Sequence, residues 1–262
     1  MRIGICADPA TLATLPPPLP FDFIEGHVQN FLKPEASDPE FSFNAEALRN
    51  CARSMPAANS FLPSDLRVTG PLIDYPRLDR YAETTFRRAA QIGMNIIVFD
   101  SADARHVPDG FPTARAFEQF VDVLRHFALM AEKQGVTLVV KPLHRGECNF
   151  INTLAEAAEA VERVAHPHVK LIADSFQMAR SGESPEEIIK FGSLIHHTHV
   201  AENHDRAPPG VSQEDLRPFL RALKKIGFDD RLTIEAIWTK REDQVAPAAA
   251  ALRAQLAATG HR

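Results

Sequence analysis

Four polar residues, each placed directly after a short apolar run, constrain this chain more than any other feature. Lys141 follows Thr-Leu-Val-Val, Asp174 follows Val-Lys-Leu-Ile-Ala, His199 follows Leu-Ile-His-His-Thr, and Glu235 follows Leu-Thr-Ile. Successive members are 33, 25 and 36 residues apart, which is the length of one strand-plus-helix unit. Because the active residues of a (β/α)8 barrel stand at the carboxyl ends of its strands, we expect these four to converge at one mouth.

Eight β-rich runs are candidate strands of such a barrel. Three of them follow amphipathic segments that end in Gly93, Gly135 and Gly227, and glycine supplies the left-handed residue that ends a helix. These runs are continuously apolar, as in parallel strands buried on both faces. We predict the α/β class and one (β/α)8 TIM-barrel domain over residues 1–262. The predicted strands are 2–6, 21–25, 57–61, 95–99, 137–141, 169–174, 196–200 and 232–235, and the clearest helices are 81–91, 114–133, 154–164, 185–191, 213–225 and a closing helix at 245–258.

Composition narrows the classes of function. The 262 residues are 45% apolar and 24% charged, which suits a full globular core. The net charge of −5 argues against a nucleic-acid partner, since phosphate binding needs a basic surface. No run approaches the roughly 20 apolar residues of a membrane span. Three cysteines without a CxxC pair fit a reducing compartment, so we expect a cytoplasmic protein with no membrane partner.

The strand-end motifs resemble those of a known family. Residues 137–153, 171–178, 196–202 with Pro-Pro-Gly at 208–210, and 232–236 are similar, in order, to the later signatures of the sugar phosphate isomerase/epimerase superfamily. These proteins are xylose isomerase-like TIM barrels. The resemblance extends from about residue 22 to residue 238. It is specific for the superfamily and much less specific for the substrate.

The resemblance implies a set of site residues. In the family, a Glu, an Asp, a His and a second Glu at strand ends hold one divalent metal, and the two Glu residues act as acid and base. Asp174, His199 and Glu235 match three of these positions, whereas Lys141 stands where the first Glu is expected. Gln177 also departs from the family pattern, since it replaces a substrate-binding His. The residues that the resemblance assigns to substrate binding are Glu147, Gln177, Arg206 and His144.

Lys141 changes what the mouth can hold. The family implies Mn²⁺ or Mg²⁺ on Asp174, His199 and Glu235, but an ammonium within a few ångströms of a metal ion costs several kcal/mol even at an effective dielectric of about 20. We therefore expect a weak or absent metal site. An ammonium between Asp174 and Glu235 would also neutralise carboxylates that otherwise need a cation. Lys141 is thus a candidate to stand in for the metal.

The expected function is that of a sugar isomerase or epimerase, which abstracts a proton next to a carbonyl. Glu235 is the candidate base, and Lys141 is the candidate group that polarises the carbonyl. The expected partner is a small carbohydrate, and a homo-oligomer is possible. Two alternatives stay open: a degenerate barrel that binds a sugar or partner without catalysis, and a lyase that forms a Schiff base through Lys141. Neighbouring carboxylates argue against the lyase because they raise the pKa of a lysine.

One pair of polar residues remains undecided from the sequence. Glu25 and His27 follow the second predicted strand, where a place at the mouth and a loop salt bridge are equally compatible with the pattern. On the seventh predicted strand, His197 shares a face with His199 and His196 lies on the other face, and we interpret His196 and His197 as core or internally satisfied histidines.

Overall fold

The computed structural model describes residues 1–261 and contains a closed barrel of eight parallel strands in chain order. Every strand pairs with its sequence neighbours, and β1 pairs with β8 to close the barrel. The predicted (β/α)8 fold is therefore confirmed. The strands are β1 (Arg2–Cys6), β2 (Phe23–His27), β3 (Ser54–Asn59), β4 (Ile96–Phe99), β5 (Thr137–Val140), β6 (Val169–Asp174), β7 (Ile195–Val200) and β8 (Arg231–Ile234).

Two strands, β2 and β3, differ from the sequence prediction by two residues or more at an end, whereas the others agree within one residue. Strand β2 begins two residues later and reaches His27, because Asp22 precedes the strand and accepts the Ile3 N–H with its carboxylate at 2.7 Å. Strand β3 begins at Ser54 and includes Pro56. Proline has no N–H to donate, but its carbonyl still accepts the Asn95 N–H at 3.0 Å, so the strand tolerates it.

Helices surround the barrel, and the longer ones follow the predicted segments. Helix 154–164 is found as predicted, since the Thr153 side chain caps it by accepting the Glu156 N–H. One helix starts at Tyr75 rather than residue 81, because Asp74 caps it and Pro76 suits its first turn. The helices are α1 (Pro9–Ala13), α2 (Asp38–Arg49), α3 (Tyr75–Gln91), α4 (Ala102–Arg105), α5 (Thr113–Lys133), α6 (Leu154–Val164), α7 (Ser175–Arg180), α8 (Glu186–Lys190), α9 (Arg217–Lys225) and α10 (Arg241–Ala258).

The inside of the barrel changes from apolar to polar along the strands. A small buried apolar cluster of Ala57, Ile96, Val98, Val139 and Ile172 lies inside the barrel on the side of β3 to β6. Val139 and Ile172 lie two residues before Lys141 and Asp174, and side chains two apart in a strand share a face. The apolar interior layer therefore supports the polar mouth from below. No helix among residues 1–261 is long and apolar enough to cross a membrane.

Glu183 gives the fold a pH-dependent contact. Its carboxylate accepts the Leu154 N–H at the start of α6, at 2.8 Å. Burial raises the pKa of Glu183 from 4.5 to about 7. When the pKa of an acid is higher in the folded state than in the unfolded state, its protonated form stabilises the fold. This stabilisation is fully present below the unfolded-state pKa and is lost as the pH rises through the folded-state pKa.

We predict that Glu183→Gln flattens the pH dependence of stability between pH 5 and pH 8. Glutamine keeps the acceptor oxygen but cannot ionise, so the variant should gain stability relative to the parent as the pH rises. The gain should be about 1 kcal/mol or less, because the carboxylate is partly solvated. Urea unfolding at both pH values measures it, with the exposed Glu186→Gln as control. An unchanged pH dependence would contradict the assignment.

Candidate active site at the barrel mouth

The four strand-end residues converge at the carboxyl ends of their strands, as predicted. Lys141 directly follows β5, Asp174 ends β6, His199 lies near the end of β7, and Glu235 directly follows β8. The strand register aligns Asp174 with His199 across β6 and β7. Lys141 and His199 are fully buried, Asp174 is 3% exposed, and the Glu235 side chain is 16% exposed. Glu235 is thus the member of the set that faces solvent most.

The Lys141 ammonium lies at the centre of the other three side chains. Its Nζ is 2.7 Å from Asp174 Oδ2, 2.5 Å from Glu235 Oε2 and 3.2 Å from His199 Nδ1. The sequence prediction that Lys141 lies between the two carboxylates is confirmed. An ammonium has three N–H donors; carboxylate oxygens accept from two of them, and the third faces the His199 ring, whose Nδ1 accepts only when the ring is neutral. We call this group, formed by Lys141, Asp174, His199 and Glu235, the ammonium cluster.

Charge pairing sets the protonation states of the ammonium cluster. Burial opposes ionisation of Glu235, but the Lys141 ammonium outweighs it and holds the pKa of this carboxyl well below its usual range. Lys141 likewise lowers the pKa of Asp174 against the effect of burial. Burial would lower the pKa of Lys141, but the two carboxylates raise it above its ordinary value. The cluster is therefore a set of ions at neutral pH, with the lysine protonated.

Arg206 covers the exposed side of Glu235. Its guanidinium donates to Glu235 Oε2 and, at 3.4 Å, to Glu147 Oε1, and it lies over the Phe176 ring at 5.0 Å. Asp205 and Arg206 both have left-handed backbone conformations, with φ of 56° and 51°. Two such non-glycine residues in succession are strained, and strain of this kind persists only where the surroundings hold it in place. The backbone of Arg206 is held in turn by the Ile237 N–H, which donates to its carbonyl at 2.9 Å.

Glu202 anchors the loop that carries Arg206. This buried carboxylate accepts three backbone N–H groups, those of Gly210 at 2.7 Å, Ser212 at 2.5 Å and Glu214 at 3.1 Å. The loop therefore closes on itself instead of continuing α9 upstream. This closure explains why α9 starts at Arg217, whereas the sequence predicted residue 213. The sequence offered no local signal for this role of Glu202.

The predicted substrate-binding residues form a connected rim beside the ammonium cluster. Gln177 is 2% exposed, and its amide is used within the protein: Oε1 accepts the His144 N–H at 2.7 Å, and Nε2 donates to Glu147 Oε2 at 2.9 Å. His144 Nδ1 accepts the Gly146 N–H at 3.0 Å, which leaves Nε2 facing Glu147 Oε1 at 3.3 Å. Gln177 thus fixes the loop that presents Glu147, whereas Glu147 and Arg206 face the mouth.

Glu25 lies beneath the ammonium cluster, in a place that the sequence left undecided. It belongs to β2, is 1% exposed, and accepts hydrogen bonds from His197 Nε2 and His199 Nε2, both at 2.8 Å. His197 is a core histidine, as interpreted from the sequence, whereas His196 is exposed on the other face of β7, so the core interpretation is wrong for His196. Burial opposes the charge on His199, but the Glu25 carboxylate raises the pKa of this imidazole to about 9. Glu25 therefore fixes the orientation of His199 and presents its Nδ1 to the cluster.

The donor atoms of Asp174, His199 and Glu235 lie within 4.8 Å of one another, as in a cation site. The Lys141 ammonium already contacts all three. Two unit charges 4 Å apart repel by about 4 kcal/mol at an effective dielectric of 20, and a divalent ion doubles this. The residues as arranged do not fit a divalent metal ion.

A cavity of about 340 Å³ lies on the side of β1 to β3, and it reaches the ammonium cluster only through Glu25, which lines the cavity and hydrogen-bonds His199. Cys6 and Glu25 line it together with Asn59, where the Asn59 amide donates to Cys6 Sγ at 3.3 Å. Ligand cavities of proteins start near this volume. The remaining lining includes polar and aromatic side chains from the end of β2 and from the surrounding turns and helices, among them Asp8, His27, Asn30, Phe31 and Phe43.

We predict that Lys141→Met destabilises the protein strongly. Methionine fits the space of the lysine stem, but it leaves the Asp174 and Glu235 carboxylates buried without their shared cation. Breaking a buried ion pair by removing one partner costs about 3–5 kcal/mol. Chemical denaturation measures the loss, and the exposed Lys225→Met serves as control. A loss below about 1 kcal/mol would show that the contact contributes little.

Comparison with known proteins places this geometry among related barrels. Residues 76–256 match the family described as the xylose isomerase-like TIM barrel. The inosose isomerase of Bacillus licheniformis is 32% identical over 126 residues. This match covers 44% of the chain and 45% of that protein, so the chain aligns with less than half of the relative's length.

Two solved structures illustrate the shared fold. The D-allulose 3-epimerase of Methylomonas sp., in complex with D-allulose, superposes with a TM-score of 0.81 over 97% of both chains at 17% identity. A protein named IOLI, with a bound zinc atom, gives a TM-score of 0.71 at 20% identity and covers 99% of this chain and 98% of its own. At these identities the likeness establishes the fold.

Proposed function

The chain belongs to the xylose isomerase-like TIM barrel family, and we propose that it is a sugar isomerase or epimerase that abstracts a proton next to a carbonyl. The observation that carries the proposal is the ionised Glu235 carboxylate at a barrel mouth, held between two cations. The substrate would be a sugar or a sugar-derived ketone. The inosose isomerase and D-allulose 3-epimerase relatives support this class of substrate.

In the proposed reaction, the Glu235 carboxylate takes a proton from the carbon next to the substrate carbonyl. The electron pair of the broken C–H bond forms the carbon–carbon double bond of an enediolate, and the carbonyl oxygen becomes an oxyanion. Lys141 and Arg206 are the cations placed to stabilise that charge. If Glu235 returns the proton to the former carbonyl carbon while the proton of the neighbouring hydroxyl moves to the oxyanion, the product is an isomer. An epimer forms when the original carbon instead takes a proton from water on its opposite face, and Glu235 then loses the abstracted proton to solvent.

Arg206 links substrate binding to the strength of the base. The cations that keep Glu235 ionised also make it a weak base, and catalysis is most efficient when the pKa of a base lies near the working pH. Arg206 is 21% exposed and contacts Glu235 from the open side. A substrate oxygen that draws this guanidinium away would free one face of the carboxylate and raise its basicity. In this proposal Arg206 and Glu147 bind substrate, Gln177 and His144 hold Glu147 in place, and Asp174 and His199 orient Lys141.

The proposed chemistry does not depend on a divalent metal. Mn²⁺ or Mg²⁺ is the expectation from the family resemblance, and the related barrel with zinc supports a metal in that protein. In this chain Lys141 supplies the positive charge at the same set of ligands. A charged donor that is already in place can stabilise a developing oxyanion as a Lewis acid would.

The Schiff-base alternative is disfavoured by the charges around Lys141. A lysine must lose its proton to attack a carbonyl, but Asp174 and Glu235 raise its pKa. The non-catalytic alternative is a barrel that binds a sugar without proton transfer. It is consistent with the three contacts that already surround the Lys141 ammonium. Exchange of a substrate carbon-bound proton with solvent distinguishes the two hypotheses, because only the enzyme would catalyse it.

We also propose a cellular location and a class of partner for the protein. Cys6, Cys51 and Cys148 are free thiols, which supports a cytoplasmic location. A small carbohydrate is the proposed partner, with no nucleic acid or membrane, and assembly into a homo-oligomer stays a prediction.

We predict that Glu235→Gln abolishes exchange of a substrate carbon-bound proton with solvent. Incubation of a panel of ketoses and inososes in D₂O, followed by NMR, identifies the substrate that exchanges with the parent protein. Loss of a general base reduces a rate by about 10²- to 10⁴-fold, and glutamine keeps the shape of the side chain. The variant should bind the same sugar while its exchange stops. Exchange at the parental rate would contradict the role of Glu235, and a parent that binds but never exchanges would favour the non-catalytic alternative.

A further inference from the structure

We propose that Lys141 replaces both a divalent metal ion and one of its carboxylate ligands, so that a single substitution, Lys141→Glu, turns the ammonium cluster into a metal site. The proposal goes beyond the proposed activity, and its test measures metal binding, so the failure of one leaves the other open. It rests on the geometry and charge around one nitrogen atom.

The donor atoms around the Lys141 ammonium are arranged as they would be around a metal ion. Asp174 Oδ2, Glu235 Oε2 and His199 Nδ1 surround Lys141 Nζ at 2.7, 2.5 and 3.2 Å. Two carboxylate oxygens and an imidazole nitrogen are suitable ligands for Mn²⁺ or Zn²⁺. Their donor atoms already lie within 4.8 Å of one another, so they need little rearrangement to share one ion. Glu25 holds the far side of the His199 ring, as outer partners of metal-bound histidines do.

The central cation and its carboxylates keep their summed charge in the exchange. Two carboxylates and one ammonium now sum to −1. With Glu at position 141 there would be three carboxylates and a divalent cation, which again sum to −1. His199 would bind the ion as a neutral imidazole, with Nε2–H on Glu25 and Nδ1 toward the ion.

The parent protein resists metal for a physical reason. A metal ion can occupy the centre only if Lys141 leaves it, but this side chain is fully buried and enclosed by the barrel. Moving a charged ammonium away from both of its carboxylates within the interior is costly. Lys141 is thus a cation that cannot dissociate, because it is part of the chain.

Lys141→Glu should reverse these properties. Without metal, three carboxylates would face one another at the centre, so the variant should be less stable than the parent. With metal, a fourth ligand completes the set, and an ion that binds only the folded state raises the melting temperature. We expect the affinity for Mn²⁺ and Zn²⁺ to rise at least tenfold over the parent, which corresponds to about 1.4 kcal/mol.

The experiment compares four proteins after dialysis against a chelator. Calorimetric titration and thermal melts with MnCl₂ and with ZnCl₂ are run on the parent, on Lys141→Glu, on Lys141→Glu combined with Asp174→Asn, and on Lys225→Glu. The last variant makes the same change in net charge at an exposed position where α9 ends, on the side of the barrel away from the mouth. Only Lys141→Glu should gain stoichiometric binding and a metal-dependent rise in melting temperature, and the added Asp174→Asn should remove the gain.

A second variant keeps the proposal testable if Lys141→Glu does not fold. Lys141→Gln removes the cation and offers an amide oxygen without adding a third carboxylate, so it should also bind metal more tightly than the parent. Two results would overturn the proposal. One is stoichiometric Mn²⁺ or Zn²⁺ binding by the parent with an affinity equal to that of the variants. The other is folded Lys141 variants whose melts and titrations respond to metal no more than the parent.

Discussion

The arrangement of the mouth depends on one interaction, the contact of the buried Lys141 ammonium with the Asp174 and Glu235 carboxylates. Burying any one of these charges alone would destabilise the fold. The three compensate one another because Lys141 Nζ is 2.7 Å from Asp174 and 2.5 Å from Glu235, close enough for direct hydrogen bonds. The eight-stranded barrel makes this possible by bringing the ends of β5, β6 and β8 to one point. The ammonium cluster therefore ties together parts of the chain that are far apart in sequence.

The surrounding residues hold this cluster from two sides. Below it, Glu25 joins β2 to β7 through both histidines and sets the direction of His199. Above it, the Glu202-anchored loop places Arg206 on Glu235. Glu235 consequently contacts two cations, yet remains the cluster member most open to the mouth. A ligand that competes for Arg206 would act directly on this carboxylate, which connects the architecture of the loop to the proposed proton transfer.

Much of the fold follows from local sequence signals, and the cluster follows from their spacing. Strand 169–174 and helix 154–164 lie where the apolar pattern predicts them, and the structure adds the Thr153 cap at the start of the helix. The role of Glu25 escaped prediction because its partner His197 is 172 residues away, and no local pattern encodes that pairing. Gln177 was expected to bind substrate, but its amide hydrogen-bonds the His144 N–H and the Glu147 carboxylate. These contacts depend on how the loops pack, which the local sequence does not encode. The predicted start of α9 is wrong for a similar reason, since the Glu202 carboxylate closes the preceding loop by accepting the N–H groups of Gly210, Ser212 and Glu214.

Anomalous diffraction from crystals of the parent protein grown with excess MnCl₂ tests the role of Lys141 most directly. Data collected at the manganese absorption edge distinguish a bound ion from a nitrogen atom at the centre of Asp174, His199 and Glu235. The account predicts continuous side-chain density for Lys141 that ends between the two carboxylates, with no anomalous peak there. An anomalous peak coordinated by these three residues, with Lys141 turned out of the centre, would contradict it.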